Sequence, residues 1–466
     1  MEKEQELKNE SSSEQKLPLG IEETEDLVEQ IQDLIDSDNQ PAAVDLFSQL
    51  HPGDQGEVIE DLPVATQQGI LTAIPPEEAA EILEHLEPKD IAKVSEGIEA
   101  SVLSDILDEA DSDVTADVIR QLPEEQALDV LGEMEEAVDI APLLGYSDDS
   151  AGGRMVLEYI VVKNNSTTDD ALDTLRLKSP DSEEVHTVYV INDEDQLVGE
   201  LSIARLALAR PRTLVKDIMD SDIIFVNSDT NQEECARVME HHNLDQLPVV
   251  NEDRKLLGVI LSKDIIDVIE EEATEDMYKL AGITGERLFG PLKNSIRNRF
   301  PWLSVNLITT FLAALVISIF ESTIARVVTL AVFLPVVAGQ GGIGGTQTLT
   351  LVIRSLALGE ISKKGGFRLL NREIFLGLVH GLMLGIIVGL VAYFWKGNYM
   401  LGVVLGMAMI GNMVIAGLTG AGIPLLLTRF RIDPAVASAV VVTTCTDVLG
   451  FLLFLGLATA LVSFLL

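Results

Sequence analysis

Hydrophobic and polar positions divide the chain near residue 299. Beyond that point charged residues become rare, and runs with at most one charge cover residues 300–320, 327–353, 374–395, 397–428 and 434–466. Each run exceeds the length of about 20 residues that a helix needs to cross a membrane. We therefore predict a transmembrane domain of five helices over residues 299–466. An odd number of spans places the two ends of this domain on opposite sides of the membrane.

Basic residues that flank these runs predict their orientation. They cluster before the first run, between the second and third, and before the fifth, whereas the opposite loops hold only Arg326 and Lys396. Because cytoplasmic loops carry the excess of Lys and Arg, we expect a cytoplasmic N-terminal region, an external C-terminus and a place in the cell membrane. The first 30 residues are acidic and lack an apolar core, so we expect no signal peptide.

The N-terminal part begins with two different patterns. Residues 1–25 are polar and acidic, which predicts a disordered tail. Over residues 26–150, prolines mostly recur every 11 to 13 positions, and segments such as PPEEAAEILEHL and PEEQALDVLGEM repeat a proline, acidic residues and apolar positions at helical spacing. Proline suits the first turn of a helix. This region is therefore predicted to be an acidic α-helical solenoid.

Residues 151–268 form an approximate tandem repeat. Its copies contain TVYVINDEDQLVGELSIARL and QLPVVNEDRKLLGVILSKDI, each with two β-runs, an acidic turn between them and a following helix. The repeat resembles a pair of cystathionine-β-synthase (CBS) domains, which implies an α/β fold. In CBS domains that bind nucleotides, an Asp after the second β-run contacts the ribose. The second copy has Asp264 there and the first has Ala204 and Arg205, so adenine nucleotide is expected at one half-site at most.

Charge follows the same division. The first 289 residues carry 20 basic and 70 acidic side chains, a net charge of −50, and the remainder carries 12 basic and 5 acidic, a net of +7. Such an N-terminal part repels nucleic acid and attracts cations. Two interpretations stay open, a surface that binds divalent cations and a surface that serves solubility alone.

Asp447 is the one charged residue among the last 33 positions. An ionised group at bilayer depth costs about 2.5 to 3.5 kcal/mol and usually lines an ion path or has a basic partner. Asp447 is therefore either a cation site in a pore or a carboxyl group that pins two helices together. The glycines of the second run allow local departure from a helix or tight packing. Candidate pore-lining residues are Gly341, Gly342, Gly344, Gly345, Thr346, Gln347, Asn412, Thr443 and Thr444.

Two segments of the membrane part allow a family to be named. LPVVAGQGGIGGTQTLTLVIRSLALGEI and RIDPAVASAVVVTTCTDVLGF resemble the second and fifth helices of the MgtE-type magnesium transporters and channels, and the order of domains is the same. The resemblance implies a dimer in the lipid bilayer that conducts Mg²⁺ and is no enzyme. Two positions depart from the family: Ile343 stands where the family often has Asn, and Ala439 stands where the family can have a polar residue. The preference for Mg²⁺ over other divalent ions therefore stays open. The sequence also leaves open whether transport occurs through a channel or by a carrier.

The same resemblance implies a gate. The acidic stretch DIIDVIEEEATEDMYKLAGI, residues 264–283, is predicted to form a linker helix, and the connecting region is assigned to residues 269–298. The resemblance implies that this helix closes the pore when Mg²⁺ bridges it to neighbouring parts. The matching metal-binding positions are Asp264, Glu272, Glu275, Asp276, Glu233 and Asp433, with Asn231 at one position that is otherwise acidic. Two competing functions lack the residues that they require. An anion carrier would be expected to have basic pore residues, and the five apolar runs contain no Lys or Arg. An enzyme within the membrane would need a cluster of reactive or metal-binding side chains, and the runs contain only one His and one Cys.

Overall fold

The computed structural model describes residues 21–37, 39–86, 88–135, 137–178, 186–283, 292–361, 365–430, 432–436 and 439–465. Its contacts divide the chain into two compact units, Met1–Val268 and Ile269–Leu466. Residues 1–20 of the expected disordered tail lie outside the described residues. The prediction is wrong for residues 21–25, because they form the first turns of a helix whose apolar positions pack on its neighbours.

Short helices build the first half of the N-terminal unit, which confirms the predicted helical domain. Pro52 and Pro76 begin two of them, where a missing N–H costs nothing, and Glu77 and Glu78 complement the positive end of the helix dipole. Ile, Leu, Val and Ala at helical spacing form one buried core across the stack. The helices are α1 Ile21–Asp36, α2 Gln40–Phe47, α3 Pro52–Asp61, α4 Val64–Leu71, α5 Pro76–Glu84, α6 Pro88–Ser95, α7 Ala100–Leu107, α8 Ser112–Gln121, α9 Glu124–Glu133 and α10 Ala137–Ile140.

Two three-stranded sheets confirm the tandem α/β repeat. In each, the first strand pairs in parallel with the second and the second pairs antiparallel with the third. Asp195 and Arg254 occupy equivalent hairpin positions and share a left-handed backbone, with φ of 61° and 62°. The elements are β1 Ile160–Lys163, α11 Thr168–Lys178, β2 Thr187–Ile191, β3 Leu197–Ser202, α12 Ile203–Leu208, β4 Val226–Asn227, α13 Gln232–His242, β5 Gln246–Val250 and β6 Leu256–Leu261.

The acidic linker helix lies close to the residues predicted for it, 264–283. Helix α14 spans Ser262–Ala281, starts directly after β6 and covers the first part of the connecting region assigned to residues 269–298. Residues 284–291 lie outside the described residues, and residues from Leu292 onward already belong to the first membrane helix. The helix begins early because Ile265 and Val268 continue the CBS core into it, and it ends before Gly282, which has a φ of 70°.

Five described helices are long and apolar enough to cross a membrane, as predicted. Helices α18 and α19 are antiparallel neighbours joined by a short turn at Gly397, which has a φ of 72°. Helices α17, α19 and α20 pack on one another around a core of aliphatic and aromatic side chains. The elements are α15 Leu292–Ile319, α16 Glu321–Arg326, α17 Thr329–Ala357, α18 Gly366–Lys396, α19 Tyr399–Arg429, α20 Ala439–Ala460 and α21 Val462–Leu465.

Glycine at every fourth position of α18 lets the backbone of α19 approach closely. A methyl group at Gly385 would lie 2.7 Å from the Gly406 carbonyl oxygen. We therefore expect Gly385→Val to lower the free energy of unfolding by about 1 to 3 kcal/mol, because backbone cannot move aside as a flexible side chain can. Thermal melting in detergent measures the effect. Gly456→Val is the control, since a methyl group there would meet nothing within 4 Å. Equal melting temperatures of the Gly385→Val and Gly456→Val variants would contradict the packing role of Gly385.

Candidate functional site

Helices α17 and α20 line a cavity of about 840 Å³ in the membrane unit. From α20 it receives Thr443 and Asp447, which lie four residues apart and therefore on one face of the helix. From α17 it receives the glycine-rich segment and the turns after it. The lining residues are Ala338, Gly339, Gly342, Ile343, Thr346, Gln347, Thr350, Leu351 and Arg354 of α17 with Thr443 and Asp447 of α20. A carboxylate, hydroxyl groups and an amide therefore share one cavity.

Of the two interpretations of the glycines, local departure from a helix and tight packing, the structure supports tight packing. Helix α17 continues without interruption from Thr329 to Ala357, and the Thr346 hydroxyl donates to the Gly342 carbonyl at 2.9 Å. The glycines instead permit close packing, the alternative interpretation. A methyl at Gly344 would lie 2.7 Å from the Met413 side chain and one at Gly345 would lie 2.5 Å from that of Val442. Neighbouring helices thus occupy the space that other residues would fill.

The structure brings five of the predicted pore residues together and separates the others. Gly342, Thr346, Gln347, Thr443 and Asp447 line the cavity, whereas Gly341, Gly344, Gly345, Thr444 and Asn412 are not part of its wall. The Thr444 hydroxyl donates to the Val440 carbonyl within its own helix at 2.6 Å. Asn412 is fully buried between helices. Sequence reasoning missed the cavity position of Arg354, which follows the second uncharged run directly.

An acidic cluster with a lysine at its centre lies at the end of α14. The Lys279 Nζ is 2.8 Å from a Glu275 carboxylate oxygen and 2.7 Å from one of Asp433. Burial lowers the pKa of Lys279, but its hydrogen bonds to Asp433 and Glu275 outweigh burial and raise the pKa above the ordinary value. Burial, followed by repulsion from Asp433, raises the pKa of Asp276 to about 6, and Glu272 contributes to the rise. Two carboxylates predicted to bind metal, Glu275 and Asp433, thus share one ammonium group, with Asp276 beside them.

A second acidic cluster lies inside the N-terminal unit, where α14 begins. The Lys263 Nζ is 2.8 Å from a carboxylate oxygen of Asp111 and 3.7 Å from one of Glu84. Burial raises the pKa of Asp113 well above its usual range, and repulsion from Asp264 and Asp111 adds to this effect. Asp264 therefore lies among the carboxylates of α8 and the residue before it. Like Lys279, Lys263 was missed by sequence reasoning, because its partners are distant in the chain.

Glu233 belongs to the CBS part of the chain. It occupies the first turn of α13, where its backbone N–H donates to the Asn231 side chain at 2.9 Å. Asn231, the departure from an acidic residue, thus caps this helix. Among the described residues, no group of three or more His, Cys, Asp or Glu side chains has the geometry to hold a metal ion. In the geometry described, the acidic clusters are neutralised in part by lysine.

Comparison with known proteins agrees with this architecture. Family models match residues 334–457 as a divalent cation transporter, residues 50–149 as an MgtE intracellular N domain and residues 215–271 as a CBS domain. The magnesium transporter MgtE of Thermus thermophilus is 37% identical over 328 residues, which cover 69% of this chain and 72% of that protein. This chain belongs to the MgtE family. MgtE of Bacillus subtilis is 35% identical over 332 residues, 71% of this chain and 73% of that protein.

A solved structure resembles the N-terminal part of this MgtE-family chain. It is the cytosolic domain of the Mg²⁺ channel MgtE in complex with ATP, with 30% identity, a TM-score of 0.48, and coverage of 52% of this chain and 99% of that one. Family membership and five apolar helices make the chain a multi-pass membrane protein. Its named relatives are transporters, a class of proteins that is not enzymatic.

Proposed function

We propose that this protein is a Mg²⁺ channel or transporter of the cell membrane whose pore is built around Asp447 and α17. The observation that carries the proposal is the shared cavity, in which Asp447 lies with Thr346, Gln347 and Thr443. Mg²⁺ gives up its water reluctantly and usually keeps several water molecules. A carboxylate with hydroxyl and amide groups suits such a hydrated ion, since oxygen ligands rather than imidazole or thiolate favour Mg²⁺.

Arg354 is a basic residue of the cavity wall, which is the feature that an anion carrier would show, so its position within the cavity matters. It follows Ile343 by 11 residues in α17, a distance of about 16 Å along the helix axis. Its charge therefore lies toward one end of the cavity, on the side that the basic loops assign to the cytoplasm. Uptake of Mg²⁺, Mn²⁺, Co²⁺ and Ca²⁺ into proteoliposomes at several membrane voltages tests the function. Flux of anions without Mg²⁺ flux would contradict it.

The proposed gate uses the acidic cluster at the end of α14. Glu275 and Asp433 come from separate segments, 158 positions apart, and a bridging divalent ion would join those segments more strongly than one ammonium group does. High cytosolic Mg²⁺ would thereby close a homodimeric pore. Asp264, Glu272, Asp276 and Glu233 are proposed as further regulatory ligands. Consistent with this role, Asp276 already experiences repulsion from Asp433, which a divalent ion would relieve.

Adenine nucleotide is a separate proposal for the start of α14. Asp264 follows β6 there, at the position that contacts ribose in nucleotide-binding CBS domains, while the neighbouring Lys263 side chain contacts Asp111 and Glu84. Isothermal titration calorimetry of the whole protein with ATP measures the affinity for the nucleotide. We expect Asp264→Asn to weaken binding, and equal affinity in the variant would contradict this half-site.

Ile343 should influence the choice between ions. Its side chain is 59% exposed and lines the cavity beside Gly342, so an apolar surface faces the path that Asp447 lines. We expect Ile343→Asn to change the ratio of Mg²⁺ to Mn²⁺ uptake severalfold, because an amide can hydrogen-bond the water around an ion. Val332→Asn is the control, since Val332 is exposed on the same helix but lies outside the cavity wall. An unchanged ratio in Ile343→Asn would contradict this role.

A further inference from the structure

Two buried polar contacts bracket the glycine-rich segment of α17. Four residues before Gly341, the carbonyl oxygen of Val337 accepts a hydrogen bond of 2.7 Å from the Asn412 Nδ2 of α19. Three residues after Gly345, the Thr348 hydroxyl donates to the Glu373 Oε2 of α18 at 3.3 Å. Each end of the segment is therefore tied to a different neighbouring helix.

Asn412 fits tightly where three helices meet. It is fully buried, and its amide occupies the space beside Gly341 of α17 and Gly450 of α20. A methyl at Gly450 would lie 2.6 Å from the Asn412 Oδ1, and one at Gly341 would overlap the amide nitrogen. Within the described part of the chain, Oδ1 accepts no hydrogen bond. An unpaired amide oxygen is costly to bury, so packing alone would favour an apolar side chain here.

Glu373 is the corresponding buried carboxyl group at the other end. Only 3% of its surface is exposed, although it lies near the start of a membrane helix. Its Oε2 accepts from Thr348, and its Oε1 lies 3.6 Å from a guanidinium nitrogen of the exposed Arg372. Ionisable residues within membrane helices are rare and usually functional. Neither Glu373 nor Thr348 lines the cavity, whereas Thr346 and Gln347 do.

The glycine-rich segment, residues 341–345, lies between these contacts and has little helical preference of its own. Four of its five residues are glycine, the weakest helix former after proline. Yet Gly342 and Ile343 within it, and Thr346 directly after it, line the cavity with Asp447. Contacts from outside the segment must therefore fix its position. Hydrogen bonds to both of its ends satisfy this requirement.

We propose that Asn412 and Glu373 are positioning residues for the pore. By holding the Val337 carbonyl and the Thr348 hydroxyl, they keep the intervening segment at a fixed distance from the helix that carries Asp447. This inference rests on the proposed function. Asn412, expected to line the pore, acts from behind its wall, and a shift of either contact changes the width available to a hydrated ion.

The role of Asn412 is tested with variants that separate the loss of its hydrogen bond to Val337 from the loss of its side-chain volume. Asn412→Leu removes the bond and should change the Mg²⁺ to Mn²⁺ flux ratio about fivefold, the effect of one lost hydrogen bond on an equilibrium. Asn412→Ala with Gly450→Ala refills the space without the bond and should show the same change. A wild-type ratio in the refilled double variant would overturn the proposal, because packing alone would then suffice.

Thr419→Val is the matched control for Asn412. Thr419 lies on the same helix as Asn412, but its hydroxyl donates to the Ile415 carbonyl within that helix at 2.8 Å. We expect its flux ratio to equal that of the wild type. Thermal melting of every variant is measured in parallel, and should Asn412→Leu not fold, the refilled double variant decides the same question.

Glu373 is tested by exchanging the acceptor while keeping its shape. Glu373→Gln retains an acceptor for Thr348 and should keep the wild-type flux ratio, whereas Glu373→Leu and Thr348→Val should change it about fivefold. The double variant Glu373→Leu with Thr348→Val should be no worse than either single variant, since both remove one bond. Additive effects, or a Gln variant as altered as the Leu variant, would overturn the role of this bond.

Asp447→Asn, measured beside these variants, distinguishes failure of the inference from failure of the proposed function. If Asp447→Asn abolishes flux and the Asn412 and Glu373 variants keep wild-type ratios, only the positioning role is overturned. If Asp447→Asn conducts normally, the proposed pore and the inference that rests on it are both overturned. Loss of flux in Asp447→Asn with shifted ratios in Asn412→Leu and Glu373→Leu supports both.

Discussion

Replacing Asp447 by Asn should reduce Mg²⁺ flux by about a hundredfold or more. The substitution keeps volume and hydrogen-bonding capacity but removes the one acidic side chain of the cavity wall. At an effective dielectric constant of 20, two unit charges 4 Å apart attract by about 4 kcal/mol, and a divalent ion doubles this energy. Even a fraction of that loss lowers occupancy of the site by two orders of magnitude. Fluorescent detection of Mg²⁺ in proteoliposomes measures the flux.

The control for Asp447 is another acidic residue of the same unit. Glu321 begins the short helix α16 and lies outside the cavity wall, so Glu321→Gln should conduct like the wild type. Asp447→Glu should conduct in part, because the charge returns at a different distance. Melting temperatures of Asp447→Asn and the wild type should differ by a few degrees at most. Normal flux in a folded Asp447→Asn variant would contradict the pore assignment.

Neutralising Asp264, Glu272, Glu275 and Asp433 together should leave the pore open at high cytosolic Mg²⁺. Several weak sites that favour one state act together, so they can switch a gate at concentrations at which each site alone is half filled. Without Glu275 and Asp433, Lys279 also loses the two carboxylates with which it forms ion pairs, and no divalent ion can bridge the two segments. Flux at rising internal Mg²⁺ measures closure, and Asp447 should still be required.

A charge-matched control separates binding from general acidity. Neutralising Asp193, Glu194, Glu252 and Asp253 changes the net charge equally, but these exposed residues lie in the two CBS hairpin turns. That variant should close normally. In the wild type, Mg²⁺ should also protect residues 270–283 from protease, and K⁺ at equal ionic strength should not. Normal closure of the first quadruple variant, or equal protection by K⁺, would place the sensor elsewhere.

Local sequence patterns were sufficient for most of the fold. The five apolar runs predicted five spans because length and hydropathy are properties of a single segment. The prolines and apolar spacing predicted the helical domain, and the repeated pair of β-runs with an acidic turn predicted two similar sheets. Boundaries were less exact: the acidic stretch predicted a helix over residues 264–283, whereas α14 extends from Ser262 to Ala281 because the CBS core continues into its first turns.

The candidate site was predictable where a residue is unusual in its own segment. A lone carboxylate in an apolar run identified Asp447, and the structure places it in a cavity with four other predicted residues. The glycine run was ambiguous, because glycine permits both irregular backbone and close packing. Met413 and Val442 resolve the ambiguity, since their side chains fill the space beside Gly344 and Gly345 in an unbroken helix.

The sequence by itself determined the membrane class, the order of domains and the acidic residue of the proposed pore. Tertiary structure alone decided that Asn412 is buried outside the cavity wall, that Glu373 contacts Thr348, and that Lys279 lies between Glu275 and Asp433. Asn412 contacts Val337 across 75 positions, and Lys279 contacts Asp433 across 154. Hydropathy and periodicity report how one segment meets its solvent, whereas such pairs depend on which faces of distant helices pack together.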